Sequence, residues 1–390
     1  MKKIYLDHAA TTYTREEVLE AMMPYFSEKY GNPSSFHSVG KEAKDAIEQA
    51  RGMMARILNC RNAEIIFTGG GTESDNLGII GTARANKEKG KHIITSKIEH
   101  PAVLDACKKL EKEGFEITYI STDKAGIIKL DELKKALRSD TILVSIMYAN
   151  NEIGTIQPVK EIAKIIRDNT EKKKAGFPYF HTDACQAAGS LDLDVMKLGI
   201  DLLTLNGSKI YGPKGVGALY VKKGVKVEPL IYGGGQEQGL RSGTENTPAI
   251  IGLAKALELS QKEKDKENVR LKKLRDMLIN GVIKNIPRAF LNGHATLRLA
   301  NNANISIPKV EGEAMVLYLD SKGIYASTGS ACSSRSLKPS HVLLAIGLND
   351  EMAHSSLRFT LGRKTTKQDI DYVIKVLPEI VKKLTEISSL

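Results

Sequence analysis

The sequence predicts an α/β fold: a large domain on a mostly parallel, doubly wound sheet, joined to a smaller α+β domain. Three observations carry that expectation. Short apolar runs, "EIIFT" (64–68), "EITYI" (116–120), "TILVSIM" (141–147) and "DLLTL" (201–205), alternate with helical periodicity over roughly residues 60–225, the pattern of strands joined by crossover helices. Beyond about residue 255 the texture changes to a long charged helical segment, then "NISIP", a Gly/Ser stretch, "SSLRFTLG" and an amphipathic end. No internal repeat or low-complexity linker interrupts either part.

The elements follow in order. In 41–58, Ala43, Ala46, Ile47, Ala50, Met53, Met54, Ile57 and Leu58 form one helical stripe. A helical stretch at 101–113 precedes "EITYI", and Val159, Ile162, Ala163 and Ile166 mark a helix after "TILVSIM". "PYFHTD" and "DLLTL" read as the next strands, and Ile370, Val373, Ile374, Leu377, Val381 and Leu384 line a terminal helix.

Bulk properties narrow the function. A chain of 390 residues, 42% hydrophobic and 26% charged, supports two or three packed domains. Its net charge of +11 comes from lysines interspersed with acids, as in "KEKGK", which makes solvated helix faces rather than a nucleic-acid groove. No apolar run approaches the roughly 20 residues of a membrane helix, and "MKKIYLDHAATT" has no leader-like core, so a cytoplasmic protein with no membrane contact is expected. Four cysteines, at 60, 107, 185 and 332, show neither CxxC nor metal-type spacing, which predicts reduced thiols and no metal site.

Three strand ends carry candidate chemistry. "TGGGTESDN" (68–76) follows a strand and opens a helix with a capping signature from Thr72 to Asp75. Free amides there suit an anion, and a well-capped tight turn without a ligand is an equal reading. Asp183 ends the strand in "FHTDACQAAG", placed either to pair with a protonated ring nitrogen or to cap a helix; Gln186 nearby can donate to an oxygen. Lys209 in "LNGSKIYGPKGVG" follows a strand and precedes a Gly/Pro turn, where a desolvated lysine can form an imine and a solvated one does nothing. An anion cradle, a rim carboxylate and a rim lysine together match what pyridoxal phosphate needs.

Other residues are read more locally. His100, just before Pro101, either lies against a cofactor and moves a proton or is a satisfied structural histidine. Cys107 and Cys60 fall on core stripes, and Cys185 packs beside Asp183. Arg358 alternates with Leu357, Phe359 and Leu361, so a strand turns it away from the apolar face, as a solvated edge residue or as the fork for a substrate carboxylate. Cys332 stands in "GSACSSRS" among small polar residues. Such neighbours suit an inconsequential loop thiol, or a thiol that must travel.

Taken end to end, the chain resembles the cysteine desulfurases of the NifS and IscS type, which are fold type I pyridoxal-phosphate enzymes. The motifs are "YLDHAATT", "YGNPSSFH", "GTESDN", "EHPAVLDAC", "NNEIGTIQP", "HTDACQAAG", "KIYGPKGVGALY", "LRSGTEN", "STGSACSS" and "SSLRFTLGR". The resemblance implies a homodimer, with a cofactor-binding domain over 14–255. The small domain would comprise 1–13 and 256–390 and carry a mobile cysteine loop at about 327–340. It implies that Lys209 holds the cofactor as a Schiff base, Asp183 pairs with the ring nitrogen and Gln186 meets the phenolic oxygen. Gly71 and Thr72 would hold the phosphate with Asn206, Ser208 and Thr244, the last from the other subunit. His100 would stack on the ring and assist proton transfer, Asn151 would meet cofactor and substrate, and Arg358 would clamp the substrate carboxylate. The implied reaction takes L-cysteine to alanine and leaves a persulfide on Cys332. The implied acceptors are an iron-sulfur scaffold protein, whose cluster Cys332 would touch only transiently, or a tRNA-thiolating enzyme.

The chain departs from the family pattern in two places. The family reads Ser-x-His-Lys at the lysine, whereas this chain has Asn206, Gly207, Ser208 and Lys209, and "NTEKKKAGFPYF" (169–180) adds length read as a surface excursion. Two rivals share parts of the evidence. Another aminotransferase or lyase of this fold would need Lys209 and Asp183 but no travelling cysteine, and a non-catalytic relative would need none of these residues. On the desulfurase reading, Gly329 to Pro339 is poorly ordered or partly extended in the absence of an acceptor.

Overall fold

The computed structural model describes residues 3–173, 177–328 and 338–388. Its strands are β1 (Ile4–Tyr5), β2 (Ile65–Thr68), β3 (His92–Ser96), β4 (Glu116–Ile120), β5 (Thr141–Ser145) and β6 (Tyr179–Asp183), followed by β7 (Leu202–Asn206), β8 (Gly217–Val221), β9 (Phe290–Asn292), β10 (Asn302–Ser306), β11 (Ile324–Tyr325) and β12 (Ser356–Thr360).

Seven strands form one sheet in the order β2-β8-β7-β6-β5-β3-β4. From β7 to β4 all neighbours are parallel, and β3, β5 and β8 are buried along their whole length, as expected of strands covered on both faces. The mostly parallel expectation holds with one exception. β8 is antiparallel to both β7 and β2, because only residues 207–216 join β7 to β8, too few for the crossover that a parallel partner requires.

The helix Ser38–Leu58 shows why the stripe reading works. Ala43, Ala46, Ile47, Ala50, Met54 and Leu58 are buried, while Met53 and Ile57 flank the stripe half-buried. Its first turn is capped by His37 Nδ1, which accepts from Gly40 N at 3.2 Å. It ends where Asn59 turns left-handed at φ 55°, a conformation asparagine tolerates better than most residues. Arg51 leaves this helix inward. Its guanidinium grips Glu237 through two bonds of 2.8 and 2.9 Å and donates to Ile65 O at 2.6 Å. Glu237 also accepts from Phe67 N at 2.8 Å, so one buried ion pair ties β2 to the 236–238 turn.

The C-terminal part builds a second core. A three-stranded antiparallel sheet, β12-β10-β9, packs with the parallel pair β1-β11. Ile4 and Leu6 join Ala303, Ile305, Leu357, Phe359, Ile370, Val373 and Leu377 in its apolar interior. The 39-residue helix Thr247–Asn285 serves both cores. Its first half (Ala249, Ile250, Leu253, Leu257) packs under the large sheet, and its second half (Leu271, Leu278, Ile279, Val282) under the small one. The chain therefore passes between the cores inside a helix about 58 Å long.

Candidate active site

The parallel strands end along one edge, and the candidate residues gather there. Ligands in open α/β sheets bind at this carboxyl edge. β2 leads into Gly69 to Gly71, β6 ends at Asp183, and β7 ends at Asn206 with Lys209 three residues on. β3 leads to His100 and β5 to Asn150 and Asn151.

The glycine turn differs from the expected cap. Its helix starts at Gly71, one residue before Thr72, and Gly70 is the N-cap with φ 153° and no side-chain cap bond. That backbone conformation is glycine's own, which is why the Thr72 to Asp75 signature does not set the start. The turn is pinned instead by Glu73, which accepts from Gly69 N at 2.8 Å and pairs with Arg241 at 2.9 Å. A Cβ on Gly71 would lie 2.8 Å from Cys185 Sγ and 3.1 Å from Asn206 Nδ2, so only glycine leaves this cradle open. Asn206 Oδ1 is buried beside it without a partner.

Asp183 does not cap a helix. Its Oδ1 accepts from Cys185 N at 2.8 Å and turns the chain so that Gln186 faces the N-terminal segment. Behind Asp183 lie Asp75 and His181, both fully enclosed. Burial pushes His181 down to about 4, so it is neutral, with Nδ1 on Ser145 Oγ at 2.8 Å and Nε2 on Thr204 Oγ1 at 3.0 Å. Burial, reinforced by the nearby Asp183 charge, holds Asp75 well above the usual carboxylate range.

The N-terminal segment closes the edge from above. Gln186 Nε2 donates to Ala9 O at 3.0 Å, and Lys209 Nζ donates to Ala10 O at 2.5 Å. Thr12 locks the same turn: its hydroxyl donates to Ser208 O at 3.0 Å and accepts from Tyr211 N at 2.8 Å. His100 caps the helix Pro101–Glu111, with Nδ1 accepting from Ala102 N at 3.1 Å. Burial lowers its pKa, Lys209 and His341 push it further down, and Asp183 opposes them. The neutral ring therefore carries its proton on Nε2.

Across the edge stands Arg358. It is only 2% exposed, so the solvated-edge alternative is set aside. Nη2 donates to Asp7 Oδ1 at 2.8 Å and Nη1 to Asn151 O at 3.1 Å. Asn150, not Asn151, holds the local turn: its Oδ1 accepts from Glu152 N and Ile153 N, and its Nδ2 donates to Ile98 O. Thr244 lies exposed in the 241–246 stretch.

Cys332 and residues 329–337 lie outside the described residues, as do 174–176 of the extra length. The flanks of the cysteine stretch are placed. Ser327 and Arg358 exchange main-chain bonds of 3.2 and 2.7 Å, and Ser340 and His341 begin the helix that follows.

The sequence reading missed Asp7, Ala9, Ala10, Glu99 and Glu152. Glu99 is fully buried, accepts from Ser96 Oγ at 2.5 Å and from Met147 N at 3.0 Å, and is pushed by burial up to about 8. Asp7 lay in a quoted motif, and its only positional signal is the bridge that sets Asp7 beside Thr360.

Of the other thiols, Cys107 and Cys185 are buried and Cys60 is half-buried. Burial pushes Cys60 and Cys107 up to about 12, and burial with the Asp183 and Asp75 charges raises Cys185 well above the ordinary thiol range. At pH 7.5 a thiol of pKa 12 is ionised in about one molecule in thirty thousand. Brief iodoacetamide treatment of the folded protein is therefore expected to leave Cys60, Cys107 and Cys185 unmodified in a peptide-mass map. Rapid alkylation of Cys107 or Cys185 would contradict these environments.

An amine, a carboxylate and an open glycine cradle lined by the Asn206 side chain converge within one edge, and they fit a phosphate-bearing pyridine aldehyde. Residues 4–373 match the family model described as aminotransferase class-V. The chain is 56% identical over 389 residues to the cysteine desulfurase IscS of Methanosarcina thermophila, covering 100% of this chain and 94% of that protein. Among solved structures, a NifS-like protein superposes with a TM-score of 0.91 at 39% identity, covering 98% of this chain and all of that one. A structure titled "SspA in complex with cysteine" matches with a TM-score of 0.78 at 38% identity, covering 92% of this chain and 99% of that one. On this edge of residues and these likenesses, the chain belongs to the class-V aminotransferase family, among its pyridoxal-phosphate-dependent cysteine desulfurases.

Proposed function

We propose that this chain removes sulfur from L-cysteine, releasing L-alanine and carrying the sulfur as a persulfide on Cys332. The observation that carries this reading is the meeting of Lys209, Asp183, Gln186 and His100 on one sheet edge opposite the Arg358–Asn151 pair. Lys209 would anchor pyridoxal phosphate covalently, Asp183 would pair with its ring nitrogen, and Gln186 would meet its phenolic oxygen. Gly71, Thr72, Asn206 and Ser208 would hold the phosphate, with Thr244 of a second copy completing the cradle. Bound there, the cofactor supplies an electron sink for the carbanion at the substrate Cα.

The chain's own groups do the rest. Arg358 and Asn151 would orient the substrate through its carboxylate. Lys209, once released from the cofactor, would take the Cα proton. His100 would stack on the ring and hand its Nε2 proton to departing groups. The Cys332 thiolate would attack the substrate sulfur; the carbon–sulfur bond breaks, its electron pair stays with carbon, and a proton completes alanine. No external oxidant is needed, because the two electrons given up by the sulfur pair in forming the persulfide stay on the substrate carbon, which is reduced to the methyl group of alanine.

The remaining parts of the reading are a homodimer, a cofactor-binding domain over 14–255 and a small domain from 1–13 and 256–390. Sulfur would pass to an iron-sulfur scaffold protein or a tRNA-thiolating enzyme. No helix among the described residues is long and apolar enough to cross a membrane, which supports a cytoplasmic protein.

Purified protein supplied with L-cysteine and a reductant is expected to release sulfide and alanine. Cys332→Ala is expected to keep the cofactor absorbance and to lose about 100-fold in sulfide release. Equal release from both proteins would remove Cys332 from the mechanism.

A further inference from the structure

Glu152 follows Asn151 in the chain and is fully buried, yet nothing in the reaction above uses it. Four parts of the molecule meet on this residue. Its amide donates to Asn150 Oδ1 at 2.9 Å, which fixes the turn after β5. Its carbonyl accepts from Asn302 and Asn304 Nδ2, each at 3.2 Å, which brings in β10 of the second core. Its carboxyl accepts from Ser340 Oγ at 2.5 Å. Its neighbour's carbonyl, Asn151 O, accepts from Arg358.

The donor assignment at Ser340 is determined. Ser340 Oγ accepts from Leu343 N at 3.2 Å as the cap of the helix His341–Ala345, so its single hydrogen is left for Glu152. One residue on, His341 Nε2 donates to Glu99 O at 2.9 Å, and Glu99 precedes His100. The chain that emerges from the cysteine stretch is thus tied at its first two helical positions to the residues adjoining Asn151 and His100.

We propose that Glu152 is a positioning residue that couples the carboxylate clamp, Asn151 and Arg358, to Ser340 at the root of the sulfur-carrying stretch, and that its charge sets how strongly the clamp attracts a carboxylate. The proposal rests on the functional reading above. Loop-closure entropy is not the mechanism. Freeing Ser340 and His341 would lengthen the span from Ser327 by two residues, which changes closure by less than about twofold. The effect lies in the wall. Arg358 already faces Asp7, so an ionised Glu152 leaves the cluster of Asp7, Glu152 and Arg358 with a net negative charge, and a proton on Glu152 restores neutrality.

Ser340 bonds the Glu152 carboxyl, the charge of Arg358 from β12 acts on it with Asp7 paired to that guanidinium, and neutral Asn302 and Asn304 from β10 hold its main-chain carbonyl. Burial pushes Glu152 up to about 7, with Ser340 and then Arg358 pulling it back. Its charge therefore changes within the working range of pH. Ionisation as pH rises through 7 places a second anion beside the guanidinium and weakens its hold on a substrate carboxylate.

The test is titration of the holoenzyme with L-alanine, which has the carboxylate but no thiol, read by the shift of the cofactor absorbance between pH 6.0 and 8.5. Wild type is expected to lose about fivefold in alanine affinity over this range beyond the loss shown by Glu152→Gln, the size of one added charge at moderate screening. Glu152→Gln keeps an acceptor for Ser340 and is expected to stay within about twofold of wild type at pH 6.0. Ser340→Ala removes the bond that favours the ionised Glu152 carboxyl, so it is expected to move the loss of alanine affinity to higher pH than in wild type, at unchanged cofactor content. Identical pH profiles for wild type, Glu152→Gln and Ser340→Ala would overturn the proposal alone. A wild type that neither binds alanine nor releases sulfide overturns the functional reading and this proposal with it.

Discussion

Lys209→Ala is expected to lose at least about ten thousand-fold in sulfide release, because one side chain carries two roles, covalent anchor and Cα base. The geometry supports both roles. Lys209 closes the short turn Gly207–Lys209 after β7, its amine is held at 2.5 Å by the Ala10 carbonyl, and its positive charge is felt by His100. Reduction of the wild type with borohydride should leave the cofactor mass on a Lys209 peptide, and the variant should carry none. Lys209→Arg should not rescue, since a guanidinium neither forms the link nor gives up its proton near neutral pH. Turnover by Lys209→Ala within tenfold of wild type would move the chemistry to another amine.

The second large effect is on stability. Glu237→Ala leaves the Arg51 guanidinium, whose side chain is 8% exposed, with only the half-exposed Glu48 as counter-charge, and leaves the Phe67 amide without its acceptor. Removing one partner of such a pair costs about 3–5 kcal/mol. For a chain of 390 residues with an unfolding entropy of about 2.1 cal/mol/K per residue, this lowers Tm by roughly 4–6 °C. The double change Arg51→Met with Glu237→Gln removes the stranded charge and keeps an acceptor for Phe67. It should therefore lose less than Glu237→Ala alone, and a larger loss would assign the effect to packing of Arg51 on the Phe67 ring, 4.7 Å away.

What could be read from the sequence follows the range of the forces involved. The stripe from Ala43 to Leu58 and the runs that became β5 and β7 are local patterns, and local patterns survive folding. The antiparallel turn of β8 is not a pattern of residue types. It follows from the shortness of 207–216, and only the sheet shows it. The same division runs through the site. Asp183, Gln186 and Lys209 were legible because a polar residue at a strand end stands out. Their partners Ala9 and Ala10 were not, because a main-chain carbonyl leaves no mark in the choice of side chain. Alternation in "LRFTL" placed Arg358 on the polar face, but its ion pair with Asp7 spans 351 residues and no periodicity reports it. Thr72 drew attention as a cap, whereas the conformation of Gly70 decided where the helix begins.

The N-terminal segment sets the order in which the enzyme can be completed during its synthesis. Residues 9 to 12 leave the ribosome first, while Lys209, which one of them holds, emerges about two hundred residues later. The segment's own supports come later still. β1 pairs with Ile324 and Tyr325, and Leu6 O accepts from Thr360 N at 2.6 Å. At about 5–20 residues per second, the first dozen residues wait roughly 16–70 seconds before the strand supports from the second core are available. Until then the segment over the amine edge has only its bonds to Gln186, Ser208, Lys209 and Tyr211, so a nascent chain can gain the shape of its large sheet before its site is held from both cores.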